Sequence, residues 1–110
     1  MNTAVNQIWE SQTTRQFADV AASITDPRDM QAFLRDVMTE KEIIEISSRL
    51  QAAKMLGEGK RYADIIDTTK LSSRTIARIS DWMQNGCGGY ASALQLVGTH
   101  HTHLSPARAE

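Results

Sequence analysis

Apolar side chains recur every three to four residues along nearly the whole chain, and no run alternates apolar and polar long enough for a strand. The pattern predicts an all-α protein. Phe17, Val20, Ala21 and Ile24 make one stripe on a helix over residues 13–24. Asp26-Pro27 restarts the chain: the aspartate can cap, and proline suits the first helical position, where no N–H bond is lost. The helix that follows carries Met30, Phe33, Leu34, Val37 and Met38 on one face. Thr39 and Glu42 have the spacing of a capping box and open the longest helix, over 40–56, ended by Gly57-Glu58-Gly59. Ile43, Ile46, Leu50 and Ala53 form its stripe, and Ile44 and Met55 widen it. That much apolar girth suits a helix surrounded on several sides, in a bundle or a dimer.

Residues 62–81, YADIIDTTKLSSRTIARISD, read as two short helices joined by a tight turn. Ile65, Ile66, Leu71, Ile76 and Ile79 stand where they would lock two helices together at a steep angle. Ser72 is a natural N-cap, its hydroxyl placed to accept from free N–H groups of the next turn. The helix it opens exposes Ser73, Arg74, Ala77, Arg78 and Asp81. This is the pattern of a helix-turn-helix unit, whose second helix enters the major groove of DNA. Asn85-Gly86-Cys87-Gly88-Gly89 then breaks the chain, and 90–97 suits a last short helix. The domain is thus expected over 13–97. It would be preceded by a flexible N-terminus, 1–12, polar around Ile8 and Trp9, which frays or begins a helix. A disordered polar tail over 98–110 would follow it.

With 110 residues and six aromatics, the chain is near the lower end of what completes a core alone, so pairing with a second copy is expected. The formal charge is −1, unlike a nonspecific nucleic-acid coat protein. Its distribution is more informative: residues 1–42 carry seven acids and four bases, and 43–110 six acids and eight bases, so the basic excess lies with the helix-turn-helix. The excess is modest, and tight binding would need two copies or a large specific contact set. Cys87 is the only cysteine, which excludes an intrachain disulfide framework and a thiolate metal cage. No apolar stretch approaches the ~20 residues of a membrane span. The N-terminus lacks the form of a secretory signal, so a cytoplasmic protein is expected.

Reading DNA sequence needs short side chains that let a helix approach the groove floor, and donors that reach base edges. Ser73, Arg74 and Ala77 meet that description: arginine pairs with guanine O6 and N7, and the alanine methyl touches a thymine methyl. Arg78 is placed to reach phosphate or to brace the helix. Lys60, Arg61 and Tyr62, at the start of the first short helix, and Lys70 in the turn are candidates for phosphate contacts that set register. The expected partners are double-stranded DNA and a second copy of the chain.

The run over 39–79, TEKEIIEISSRLQAAKMLGEGKRYADIIDTTKLSSRTIARI, resembles the tryptophan repressor superfamily, and within it the YerC/YecD branch. The resemblance is carried by Arg49-Leu50 in the capped long helix, Met55-Leu56 and Gly59 at its end, Tyr62, and Thr75-Ile76 with Arg78. It implies an intertwined helical homodimer whose two reader helices face successive major grooves of a near-palindromic operator, and transcriptional repression as the activity. Two departures matter. Lys70 stands at a turn position where the family usually has glycine; positive φ there would cost lysine about 1 kcal/mol. Thr39, Arg49 and Arg78 match the threonine and two arginines of the tryptophan pocket, but Ile79 and Trp82 replace a glycine and a serine. Both would fill the space an indole needs, with Trp82 occupying the pocket from within. Free tryptophan is therefore not the expected effector, and Ile79→Gly with Trp82→Ser should reopen an indole site.

His100, His101 and His103 are read as a solvated tail rather than a metal site, the five methionines as core filler, and Cys87 as a thiol without redox duty. Arg49 serves either a buried-edge ion pair or a ligand contact. No base–nucleophile or metal-ligand spacing is present, so neither an enzyme nor a cofactor is expected. The competing function is a dimeric helical adaptor whose reader face docks on protein, which Asp64, Asp67 and Asp81 near that face would suit.

Overall fold

The computed structural model describes residues 7–97, and within them every regular element is helical. Residues 1–6 and the expected tail with its three histidines lie outside the described residues. After a short 3₁₀ turn at Ile8–Glu10 come α1 (Gln12–Ser23), α2 (Pro27–Val37), α3 (Glu40–Gly57), α4 (Tyr62–Thr69) and α5 (Ser73–Asn85). A last helix, α6, runs over 89–97. The chain divides into two compact units, Met1–Ile43 and Ile44–Glu110.

In the first unit the helix boundaries are set by local hydrogen bonds. Ser11, a cap not anticipated, accepts from the N–H groups of Thr13 and Thr14 at 3.2 and 3.4 Å and starts α1 one residue before the expected boundary. The preceding turn is pinned to α1: Arg15 Nη1 donates to the carbonyls of Trp9 (2.8 Å) and Glu10 (3.1 Å), and Thr14 Oγ1 donates to that of Ile8. Asp26 Oδ1 accepts from Arg28 N–H at 2.8 Å ahead of Pro27, as expected of a capped, proline-led helix. Phe17 and Phe33 stack with ring centroids 6.0 Å apart. Yet no described residue of this unit is buried, and Ile8, Trp9, Phe17, Val20 and Val37 all stand exposed.

The capping box closes as predicted: Thr39 N–H donates to Glu42 Oε1 at 2.8 Å, and Glu42 N–H donates to Thr39 Oγ1 at 3.1 Å. At its other end α3 stops in a Schellman arrangement. Gly59 N–H donates to the Leu56 carbonyl, Lys60 N–H donates to that of Met55, both at 3.0 Å, and Gly59 takes φ 80°.

The second unit holds the core. Ala52, Ala53 and Met55 of α3, Ile65 of α4, and Ile76 and Ile79 of α5 are buried together, with Leu56, Leu71, Met83, Tyr90 and Leu94 packed against them. One expectation about the apolar stripes is corrected. Ile66 does not lock α4 to α5 but faces solvent, 37% exposed. Ile44 and Ile46, on the wide apolar surface of α3 expected to be covered in a bundle or a dimer, are 58% and 53% exposed. Alanine at 52 and 53 lets the C-terminal part of α3 pack closely, whereas Ile44 and Ile46 in its N-terminal part stay exposed among the described residues.

Lys70 is the only non-glycine residue with positive φ among the described residues (φ 64°, ψ 15°), where its N–H caps α4 by donating to the Ile66 carbonyl at 2.8 Å. A Cβ in the left-handed region is strained, so Lys70→Gly is expected to stabilise the fold by up to about 1 kcal/mol, less whatever chain entropy glycine adds to the unfolded state. Thermal unfolding of the two proteins checks this. A lower midpoint for the glycine variant would contradict it.

Candidate nucleic-acid interface

The surface of interest is built by α4, α5 and the three residues between them. Thr69, buried at the end of α4, ties the turn together: its hydroxyl donates to the Ile65 carbonyl (2.7 Å) and accepts from Leu71 N–H (3.2 Å). This brace was not anticipated, and a threonine just before a left-handed residue was the signal available. Ser72 then caps α5, accepting from Thr75 N–H at 3.1 Å and donating to Thr75 Oγ1 at 3.1 Å. With Ile76 and Ile79 fully buried beneath, the helix has no freedom to rotate about its axis without exposing them.

Its outer side is therefore fixed. Ser73, Arg74, Ala77 and Arg78 are all exposed, and helical spacing places them on neighbouring turns. Neither Arg74 nor Arg78 has an ion-pair or hydrogen-bond partner among the described residues. Lys60, Arg61 and Tyr62 are exposed at the opening of α4, and Lys70 is exposed in the turn. From Lys60 to Asp81 five cations face three acids. Arg61 Nε lies 3.6 Å from Asp64 Oδ2, and Lys70 Nζ lies 3.9 Å from Asp67 Oδ1. Asp81 instead accepts from Asn85 Nδ2 at 2.9 Å. The helix ends at Gly86, where an added Cβ would stand 2.5 Å from the Trp82 carbonyl oxygen.

The effector-pocket candidates are otherwise engaged. Thr39 caps α3, and Arg49 Nη2 pairs with Glu45 Oε2 at 2.8 Å, one turn away on the same helix and solvent-exposed rather than at a buried edge. Ile79 is a core residue rather than a pocket wall. Trp82 is 46% exposed. Cys87 is an exposed free thiol. Among the described residues no group of acids, histidines and cysteines is arranged to hold a metal, and no helix is long and apolar enough to cross a membrane.

Two short helices, a braced turn and a basic outer face define a helix-turn-helix protein. The chain belongs to the Trp repressor protein family, whose pattern it matches over residues 12–97. It is 34% identical over 83 residues to the uncharacterized protein YerC of Bacillus subtilis (strain 168), covering 76% of this chain and 80% of that one. A TrpR-like protein from Eubacterium eligens superposes with a TM-score of 0.77 at 32% identity, covering 84% of this chain and 95% of the other. A Trp repressor candidate from Staphylococcus aureus gives 0.73 at 28% identity, covering 80% and 88%. The family is one of DNA-binding regulators and not of enzymes.

Proposed function

We propose that the protein is a sequence-specific transcriptional repressor that binds a near-palindromic operator as a homodimer. The observation that carries this reading is the outer face of α5: short Ser73 and Ala77 beside Arg74, free of protein partners on a helix locked by its buried isoleucines. Ser73, Arg74 and Ala77 read base edges. Lys60, Arg61, Tyr62, Lys70 and Arg78 hold phosphates and set the register.

The second copy is argued from the first unit. Its helices carry apolar stripes and a stacked Phe17–Phe33 pair, yet bury nothing fully, and Ile44 and Ile46 stand exposed on α3. Amphipathic helices need an apolar partner, and an identical chain supplies the same stripes in return. Free tryptophan is not the effector, because the position that is glycine in the tryptophan pocket is here the fully buried Ile79. No cofactor is required for the reading.

Selection of bound fragments from a random duplex pool, followed by a salt titration, tests the proposal. One enriched, two-fold-related sequence is expected, with log K falling steeply as log salt rises and a preference of at least ~10³ over random DNA. Enrichment of no sequence would reject direct readout in favour of the adaptor.

A further inference from the structure

We infer that Asp64 and Asp67 sharpen sequence discrimination by competing with DNA phosphate for Arg61 and Lys70; this rests on the DNA-binding reading above. The five cations of the interface fall into two groups. Lys60, Arg74 and Arg78 have no carboxylate partner among the described residues. Arg61 and Lys70, one at each end of α4, each face an aspartate three residues away, at 3.6 and 3.9 Å. Asp64 and Asp67 are themselves three residues apart, on the exposed side of α4, away from buried Ile65 and Thr69.

Both pairs are long and solvent-exposed, so they hold their cations weakly and release them readily to a better anion. What matters is when release happens. A chain resting on the DNA backbone alone keeps each aspartate beside its cation, and the carboxylate cancels much of the pull on phosphate while repelling the duplex. When base contacts by Ser73, Arg74 and Ala77 seat α5 in the groove, phosphates approach closely enough to displace the carboxylates. The aspartates thus weaken backbone-only binding more than seated binding. Discrimination, rather than affinity, is what they raise. They also account for an interface with only a small basic excess.

The test compares the wild-type protein with Asp64→Asn/Asp67→Asn on two probes, a duplex selected by the wild type and a random-sequence duplex of equal length. Asp19→Asn/Asp36→Asn makes the same charge change on α1 and α2, where neither aspartate side chain forms an ion pair among the described residues. Affinity of the α4 variant for random DNA should rise about tenfold, with a log–log salt slope steeper by about 2 per chain as two contacts are freed. Affinity for the selected duplex should rise by clearly less, and the control should match the wild type on both. Equal gains on the two duplexes, no gain on either, or the same gain in the control would overturn the inference while leaving DNA binding intact. Failure of all three proteins to bind either duplex would overturn the DNA-binding reading itself.

Discussion

Arg74→Ala is expected to lose about 1–3 kcal/mol of discrimination at one base pair of each operator half-site while leaving binding to random duplex nearly unchanged. The reason is geometric. Arg74 lies in the first turn of α5, on the side opposite buried Ile76 and Ile79, and no carboxylate holds its guanidinium. A free planar fork at a helix N-terminus in the groove can take both acceptors of one guanine, and an alanine can take neither. Lys60→Ala gives the contrasting signature. Lys60 sits at the mouth of α4, so its loss should weaken every sequence alike and make the salt slope shallower by about 0.9 per chain. Binding measured for both variants on operators changed one base pair at a time separates the roles. The same profile for both would reject them.

The second large effect concerns Ile79. From the residue pattern, replacing it with glycine alongside Trp82→Ser should open a site for indole. The structure reverses that expectation, because Ile79 is fully buried in the hydrophobic core. Truncating a buried isoleucine to alanine costs about 2–5 kcal/mol, and glycine inside a helix adds about 1 more. Against total stabilities of ~5–15 kcal/mol for natural domains, such a loss should leave the second unit largely unfolded near physiological temperature. Circular dichroism should show the collapse, and calorimetry with tryptophan should show no binding heat. A folded double variant that takes up tryptophan would contradict both the core assignment and the exclusion of an indole effector.

These two residues show what was legible in the chain and what was not. Caps were readable because each is a local hydrogen bond between residues two or three apart: Asp26 to Arg28, Thr39 with Glu42, and Ser72 with Thr75. The order of the helices and the outward side of α5 followed from spacing alone, since burying Ile76 and Ile79 leaves Ser73, Arg74 and Ala77 nowhere else to face. Periodicity does not say whether an apolar face is covered by its own chain. Ile66 was therefore assigned to a helix–helix contact although it stands exposed, and the pattern at Ile44 and Ile46 left open whether a bundle or a second copy covers them. The possible strain at Lys70 was legible only through resemblance, because lysine carries no signal of its own for positive φ. The Thr69 brace depends on a polar side chain folding back into a buried turn, which composition does not reveal.

The account stands on one surface entering DNA twice. Methylation protection at guanine N7, carried out on the selected duplex, probes the major groove where Arg74 would sit. Two protected guanine patches about one helical turn apart, roughly 10–10.5 base pairs, are expected, each lost with Arg74→Ala. Uniform guanine reactivity along a duplex that the protein nevertheless binds would contradict it.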